Sequence, residues 1–84
     1  MAGELVGTVT HFFKGPGVAV VRVTEGEISL GDKIHFVGHT TDFAETVNSL
    51  EVNHQKVERA KAGDEMAIQV VDRARQHEQV YKVT

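Results

Sequence analysis

The abundance of β-branched side chains is the feature that most restricts how this chain can fold. Valine occurs 14 times among the 84 residues, whereas leucine occurs 3 times. A branched Cβ lowers helix propensity and packs well on the surface of a pleated sheet. The 8 glycines are spread along the chain and mark places where it turns. The sequence therefore predicts an all-β protein built from short strands.

Six segments have the alternation and composition of strands. They are residues 5–12, 18–24, 33–38, 45–54, 65–71 and 79–83. A Lys-Gly-Pro-Gly turn at 14–17 joins the first two, because proline fixes φ and glycine accepts positive φ. Turns about every 8–12 residues are typical of a small barrel whose closure removes exposed strand edges. We expect a single domain over residues 1–84, folded as a closed six-stranded antiparallel barrel.

Nine apolar side chains are expected to fill the interior of this barrel. They are Val9, Val21, Ile34, Phe36, Leu50, Val52, Met66, Ile68 and Val70. In the fourth strand, Val47, Leu50 and Val52 cannot share one face at a period of two. This spacing predicts a β-bulge near Ser49 that restores the register.

Three other segments are predicted to be irregular. Residues 25–32 are expected to form a loop from which Ile28 and Leu30 point inward. Residues 39–43 are expected to form a polar loop whose Phe43 plugs the mouth of the barrel. Residues 57–63 have the spacing of one helical turn that ends at a glycine.

Composition and charge exclude several classes of protein. The absence of cysteine excludes disulfides and thiolate zinc sites, and it is compatible with a reducing compartment, so we expect a cytoplasmic protein. The longest apolar run, residues 18–21, is too short for a membrane span or a signal peptide, and no membrane partner is expected. The net charge of -3 lacks the basic excess typical of free-standing nucleic-acid-binding proteins.

Four short motifs follow one another in a recognisable order. They are Gly-Thr-Val at 7–9, Gly-Val-Ala-Val-Val at 17–21, Ile-Ser-Leu-Gly-Asp-Lys-Ile at 28–34 and Ala-Gly-Asp-Glu-Met-Ala-Ile at 62–68. Their order and spacing resemble the second, β-barrel domain of translational GTPases such as elongation factor Tu, and the resemblance extends over about residues 3–83. The Gly-His-Thr-Thr-Asp-Phe segment at 38–43 is more similar to a barrel at the C-terminus of collagenase-like peptidases, some of which act in RNA modification. Small stand-alone elongation-factor-like proteins share this similarity.

The resemblance implies a non-catalytic binding module associated with translation, RNA or the ribosome. The alternative is a protein-interaction adaptor or an accessory domain. In that case a separate partner supplies the catalytic domain, and this partner is a collagenase-like peptidase or an RNA-modifying enzyme. A Gly-x-x-x-x-Gly-Lys-Ser/Thr phosphate loop is missing from the sequence, so the resemblance does not carry over nucleotide binding. The sequence leaves both functions open.

The sequence does not favour an enzyme, a cofactor or a metal site. Its two serines, Ser29 and Ser49, do not lie in a nucleophile elbow, and the polar cluster at 39–42 is better explained as a turn in which side chains bond the backbone. His35 and His39 would lie on one face of a strand but about 13 Å apart, which is too far to share an ion.

Six residues are candidates for RNA contacts if RNA is the partner. They are Phe13, Lys14, Arg22, Lys33, Arg73 and Arg75. Arg73 and Arg75 share a side if their backbone is extended, and guanidinium groups suit phosphate. Phe12 and Phe13 beside Lys14 could stack on bases. In the alternative interpretation one of these phenylalanines covers the end of the core, and the charged residues form an ordinary solvated surface.

Overall fold

The structure, a computed structural model, describes residues 3–83, and all of its regular elements in that range are β-strands. The ten strands are β1 (Gly3–Phe13), β2 (Val18–Val23), β3 (Glu27–Ser29), β4 (Lys33–Val37), β5 (Asp42–Thr46), β6 (Glu51–Val52), β7 (Gln55–Lys56), β8 (Arg59–Lys61), β9 (Glu65–Gln69) and β10 (Gln79–Val83). The all-β prediction is confirmed. Across the same 81 positions the structure contains no helix with the length and hydrophobicity of a bilayer span.

Eight strands form one antiparallel sheet in the order β5-β4-β10-β1-β2-β9-β6-β7, and β3 pairs separately with β8. The predicted turn at 14–17 joins β1 to β2, and Gly17 N–H donates to Phe13 O at 2.9 Å. The first strand therefore lies in the middle of the sheet, between the second strand and the last one.

The prediction of a closed six-stranded barrel is wrong. Within residues 3–83 the strands number ten, and the two at the ends of the sheet, β5 and β7, do not pair with each other. Val47 N–H still donates to Asp32 O at 2.8 Å in the register of the β4–β5 pair, and residues 48–50 then run without strand geometry before β6 begins at Glu51. Edge strand β5 is instead linked to the segment after β9 by a side chain, since Val71 N–H donates to Glu45 Oε1 at 2.9 Å.

The predicted long strand at 45–54 and its bulge near Ser49 are also wrong. Strand β5 ends at Thr46 and β6 begins at Glu51, so both Val47 and Leu50 reach the core from an irregular segment. The register shifts in the sheet lie in β1 instead, between Leu5 and Gly7 and between Val9 and His11.

The helical turn predicted at 57–63 is a strand. Residues Arg59–Lys61 form β8, and Ala60 is buried opposite Ile28 of β3. Gly63 has φ +98°, which ends a strand here rather than a helix. Ile28 points inward as predicted, but Leu30 does not, because a turn at 30–31 leaves its side chain 44% exposed.

The loop predicted at 39–43 is shorter in the structure, because β5 already begins at Asp42. Phe43 lies opposite Phe36 of β4, and the two rings stack with centroids 4.8 Å apart. Phe43 is therefore a half-buried member of a strand pair and not a plug.

The sheet and the β3–β8 pair enclose a single apolar core. Of the nine side chains predicted for it, eight are buried, while Val52 of the two-residue strand β6 is half-buried. The core also contains Val6, Ala19, Val23, Ile28, Val47, Ala60, Ala74 and Val80. Several of these come from short strands or loops, whose contribution simple alternation does not predict.

Candidate binding surface

Arg73 and Arg75 lie in the connection between β9 and β10, on either side of a buried residue. Ala74 is 1% exposed and anchors the connection in the core, whereas both arginines are exposed. The connection passes close to the loop before β5, and a cleft of about 200 Å³ lies between them. Its lining consists of Thr40, Thr41, Asp42, Phe43, Asp72, Arg73 and Arg75. We call this space the Arg73–Arg75 cleft.

The buried carboxylate of Glu78 holds the connection in place. Its Oε1 accepts a hydrogen bond from Arg75 N–H at 2.6 Å, and its side chain lies on Gly38, where a Cβ would overlap it. His77 N–H donates to Val9 O at 2.7 Å, and Val9 N–H donates to Glu78 O at 2.8 Å. These bonds tie the connection to β1 and fix the backbone that carries both arginines.

The carboxylates around the Arg73–Arg75 cleft already have other partners. Asp72 Oδ1 accepts from Arg73 N–H at 2.7 Å, and Asp42 pairs with His35 Nε2. Over residues 3–83 the ion pairs are His35–Asp42 and Lys82–Asp32, so neither guanidinium group is neutralised by a direct ion pair. Both are available to an external anion.

A second cleft opens on the other side of Arg75. It has a volume of about 490 Å³ and is lined by Val37, Gly38, His39, Arg75, Gln76, His77, Glu78 and Gln79. Sequence reasoning missed this neighbourhood because its members come from two loops that are distant in sequence. The only local signal is the short polar run before the last strand.

Phe13 and Lys14 lie at the β1–β2 turn and do not line the Arg73–Arg75 cleft. Phe13 is 48% exposed and packs against His11, with ring centroids 4.3 Å apart. Phe12 is half-buried and packs against the core. The turn therefore combines one phenylalanine that covers the core with one that remains exposed.

Arg22 and Lys33 do not join either group. Arg22 lies within β2, opposite Thr8 and Glu65 on the neighbouring strands. Lys33 begins β4 opposite Val83, at the opposite end of the sheet from the 14–17 turn. The structure thus places the six candidates in two groups and two separate positions: Arg73 with Arg75, Phe13 with Lys14, and Arg22 and Lys33 apart from both.

Asp32 has a structural part in this fold. Its Oδ2 accepts from Ser29 N–H at 2.8 Å and pairs with Lys82 Nζ at 3.2 Å, which links the turn before β4 to β10. In the part of the chain that the structure describes, no group of three or more His, Asp or Glu side chains is arranged to hold a metal ion.

Comparison with known proteins agrees with this architecture. Residues 17–77 match the family described as elongation factor Tu domain 2. The chain belongs to this family. A solved member of the same fold, the C-terminal domain of a putative U32 peptidase from Geobacillus thermoleovorans, superposes with a TM-score of 0.88 at 17% identity, covering 96% of this chain and 93% of that domain.

The proteins that are similar to this chain in sequence are much longer than the chain itself. An uncharacterized protease of Methanocaldococcus jannaschii is 32% identical over 77 residues, which are 90% of this chain and 19% of that protein. A collagenase of Porphyromonas gingivalis is 31% identical over 78 residues, which are 92% of this chain and 22% of the collagenase. The chain thus spans about a fifth of the length of these relatives.

Proposed function

We propose that this chain is a non-catalytic accessory module that works with a catalytic body of the U32 peptidase type. The observation that carries the proposal is the asymmetry of the alignments. They include 90% and 92% of this chain but 19% and 22% of the two relatives, so about four-fifths of each relative lies outside the module. The matching solved structure is described as the C-terminal domain of such a peptidase.

The chemistry of the Arg73–Arg75 cleft supports binding rather than catalysis. Its carboxylates are already engaged, since Asp72 accepts from the Arg73 backbone amide and Asp42 pairs with the His35 ring. Its two guanidinium groups are hydrogen-bond donors without an acceptor atom, which suits them to holding an anion. Such a surface can hold a partner or a substrate segment while another domain performs the reaction.

Contact with RNA is a second candidate function, and the unneutralised guanidinium groups of Arg73 and Arg75 favour it. Two observations rank it second. The net charge is -3, and the remaining candidate cations, Lys14, Arg22 and Lys33, do not line the cleft, so its lining offers only two cations to a phosphate backbone.

The accessory role is tested by grafting. The 78 matching residues of the Porphyromonas gingivalis collagenase are deleted or replaced by this chain, and hydrolysis of collagen is measured. We expect the deletion to lower hydrolysis and the graft to restore it. A graft carrying Val21→Asp, which cannot bury its core, is the matched control and should not restore it.

Hydrolysis that survives the deletion unchanged, or a folded graft that restores nothing, would show that the accessory role is wrong. The RNA candidate has its own measurement, which is binding of single-stranded RNA to the isolated chain at about 50 mM salt. Binding that is lost on replacing Arg73 and Arg75 by alanine would make RNA the leading function.

A further inference from the structure

The Arg73–Arg75 cleft has the dimensions of a site for one or two side chains, and its two arginines lie beside two carboxylates that already have other partners. Its volume of about 200 Å³ is below the ~300–1,000 Å³ of typical small-molecule pockets, so it suits one or two side chains. Two guanidinium groups without ion-pair partners line it. A planar guanidinium matches a carboxylate through two parallel hydrogen bonds, which makes a carboxylate a fitting occupant.

The edge of β5 next to this cleft can bond an extended backbone. Gly38 N–H donates to Thr41 O at 2.8 Å and Val47 N–H donates to Asp32 O at 2.8 Å, so the peptide groups of these two β5-flanking residues face β4. Peptide groups alternate in direction along an antiparallel strand. Those of residues 42, 44 and 46 therefore face away from β4, on the side where β5 has no neighbour in the sheet. Within residues 3–83 the backbone groups of residues 42, 44 and 46 have no backbone partner on that side, so an added strand would find donors and acceptors there, next to the bond between Glu45 and Val71.

The surroundings of the cleft favour a protein segment over RNA. The carboxylates of Asp42 and Asp72 line the same cleft and would repel a run of phosphates, whereas a lone carboxylate can sit between the arginines. Apolar surface is also present: Phe43 is half-buried in the lining, and Val71 beside the cleft is 89% exposed. An extended segment that mixes apolar and acidic residues complements both features.

We propose that the Arg73–Arg75 cleft and the edge of β5 together bind an extended acidic segment of the catalytic body, with one of its carboxylates between the two guanidinium groups. This inference rests on the proposed function and names the surface that performs it. The segment lies along β5 as an added strand, and its acidic side chain enters the cleft.

The cleft is tested with a short synthetic peptide of alternating valine and threonine that carries a central pair of glutamates. Binding to the isotopically labelled chain is followed by NMR and calorimetry, beside the same peptide with glutamines and an oligouridylate of equal length. We expect the glutamate peptide to bind and to shift the amide signals of Asp42 and Ala44. Replacing both Arg73 and Arg75 by alanine should weaken binding at least about tenfold, since charge-assisted hydrogen bonds are lost.

The chain contains a matched control pair. Arg59 and Lys61 of β8 are also exposed cations that flank a buried alanine, Ala60. The double variant Arg59→Ala, Lys61→Ala removes the same net charge elsewhere and should bind the peptide like the parent. An equal loss of peptide affinity in both double variants would show that only the overall charge matters and would overturn the inference. Equal binding of the glutamine peptide, or tighter binding of the oligouridylate, would overturn it too.

A second experiment separates this inference from the proposed function. The collagenase lacking its matching 78 residues is titrated with this chain and with the variant in which Arg73 and Arg75 are alanine. Weakened binding of the variant supports the inference. If both bind equally, the cleft is not the contact although the accessory role stands. If neither binds and the graft also fails, the accessory role is wrong. The proposed binding of an acidic segment of the catalytic body to the cleft is then wrong as well.

Discussion

Replacing Gly7 by alanine would place a methyl group where β1 lies directly against β2. Gly7 is buried in β1, at a point where the pairing with β10 shifts register. A Cβ at this position would overlap the carbonyl oxygen of Arg22 and lie 2.9 Å from Cγ1 of Val21. The Arg22 oxygen belongs to the backbone of a strand paired on both sides, so it cannot rotate away as a flexible side chain would.

The expected loss is a large part of the total stability. Overpacking a core costs about 1–3 kcal/mol, and a backbone obstacle places Gly7→Ala near the upper end. Loss of glycine's freedom in the unfolded chain offsets up to about 1 kcal/mol, which leaves a net loss of about 2–3 kcal/mol. A domain of 84 residues has a free energy of unfolding of about 4–13 kcal/mol. We therefore expect the melting temperature to fall by about 8–24 °C.

The assay is urea and thermal unfolding followed by circular dichroism, with Gly15→Ala as the control. Gly15 lies in the β1–β2 turn, and a Cβ there would meet no heavy atom within 4 Å. Gly15→Ala should be neutral or stabilise by up to about 1 kcal/mol. Coincident unfolding midpoints for the two variants would refute the close approach of β1 and β2 at Gly7.

Two further predictions use matched positions. Val21→Asp should abolish cooperative unfolding in a urea titration, because Val21 is 0% exposed and an unpaired buried charge costs several kcal/mol. Val71→Asp, at an 89% exposed position, should change the free energy of unfolding by less than about 0.5 kcal/mol in the same titration. Equal effects of the two variants would contradict the assigned burial. Glu45→Ala should accelerate hydrogen exchange of the Val71 amide by about tenfold or more, because it removes the carboxylate that this amide bonds. The Val70 amide, which bonds the 14–17 turn, should keep its protection. Unchanged exchange at Val71 would show that the side-chain bond from β5 does not form in solution.

Local pattern was sufficient for the longer strands of this fold. Residues 18–24, 33–38, 65–71 and 79–83 were predicted as strands, and the structure has strands within each of these ranges. Their side chains alternate over several positions, and glycine or proline marks where some of them begin or end. Period-two alternation carries enough signal in these four strands, whereas β5 (Asp42–Thr46), also five residues long, was predicted partly as a loop because Phe43 is its single large apolar residue.

The remaining segments depend on contacts that no local pattern encodes. Residues 48–50 leave strand geometry after Val47 has bonded Asp32, and Arg59–Lys61 is a strand only because Glu27–Ser29 lies beside it. A three-residue strand shows too little alternation to be distinguished from a helical turn. The proximity of Arg73 and Arg75 follows from their spacing, but the other wall of their cleft comes from a loop about thirty residues earlier, which spacing cannot reveal.

The central place of the first strand affects how the chain acquires its fold during synthesis. Strand β1 leaves the ribosome first, yet one of its two neighbours, β10, is made last, and Gly3 lies opposite Val83. Until β10 emerges, β1 and β4 each keep an unpaired edge in the interior of the future sheet. Such long-range pairing slows folding and exposes strand edges meanwhile. The sheet is therefore completed only when β10 is available, and a fragment without β10 is divided into two sheets whose exposed edges, β4 and β1, are prone to pair with other chains.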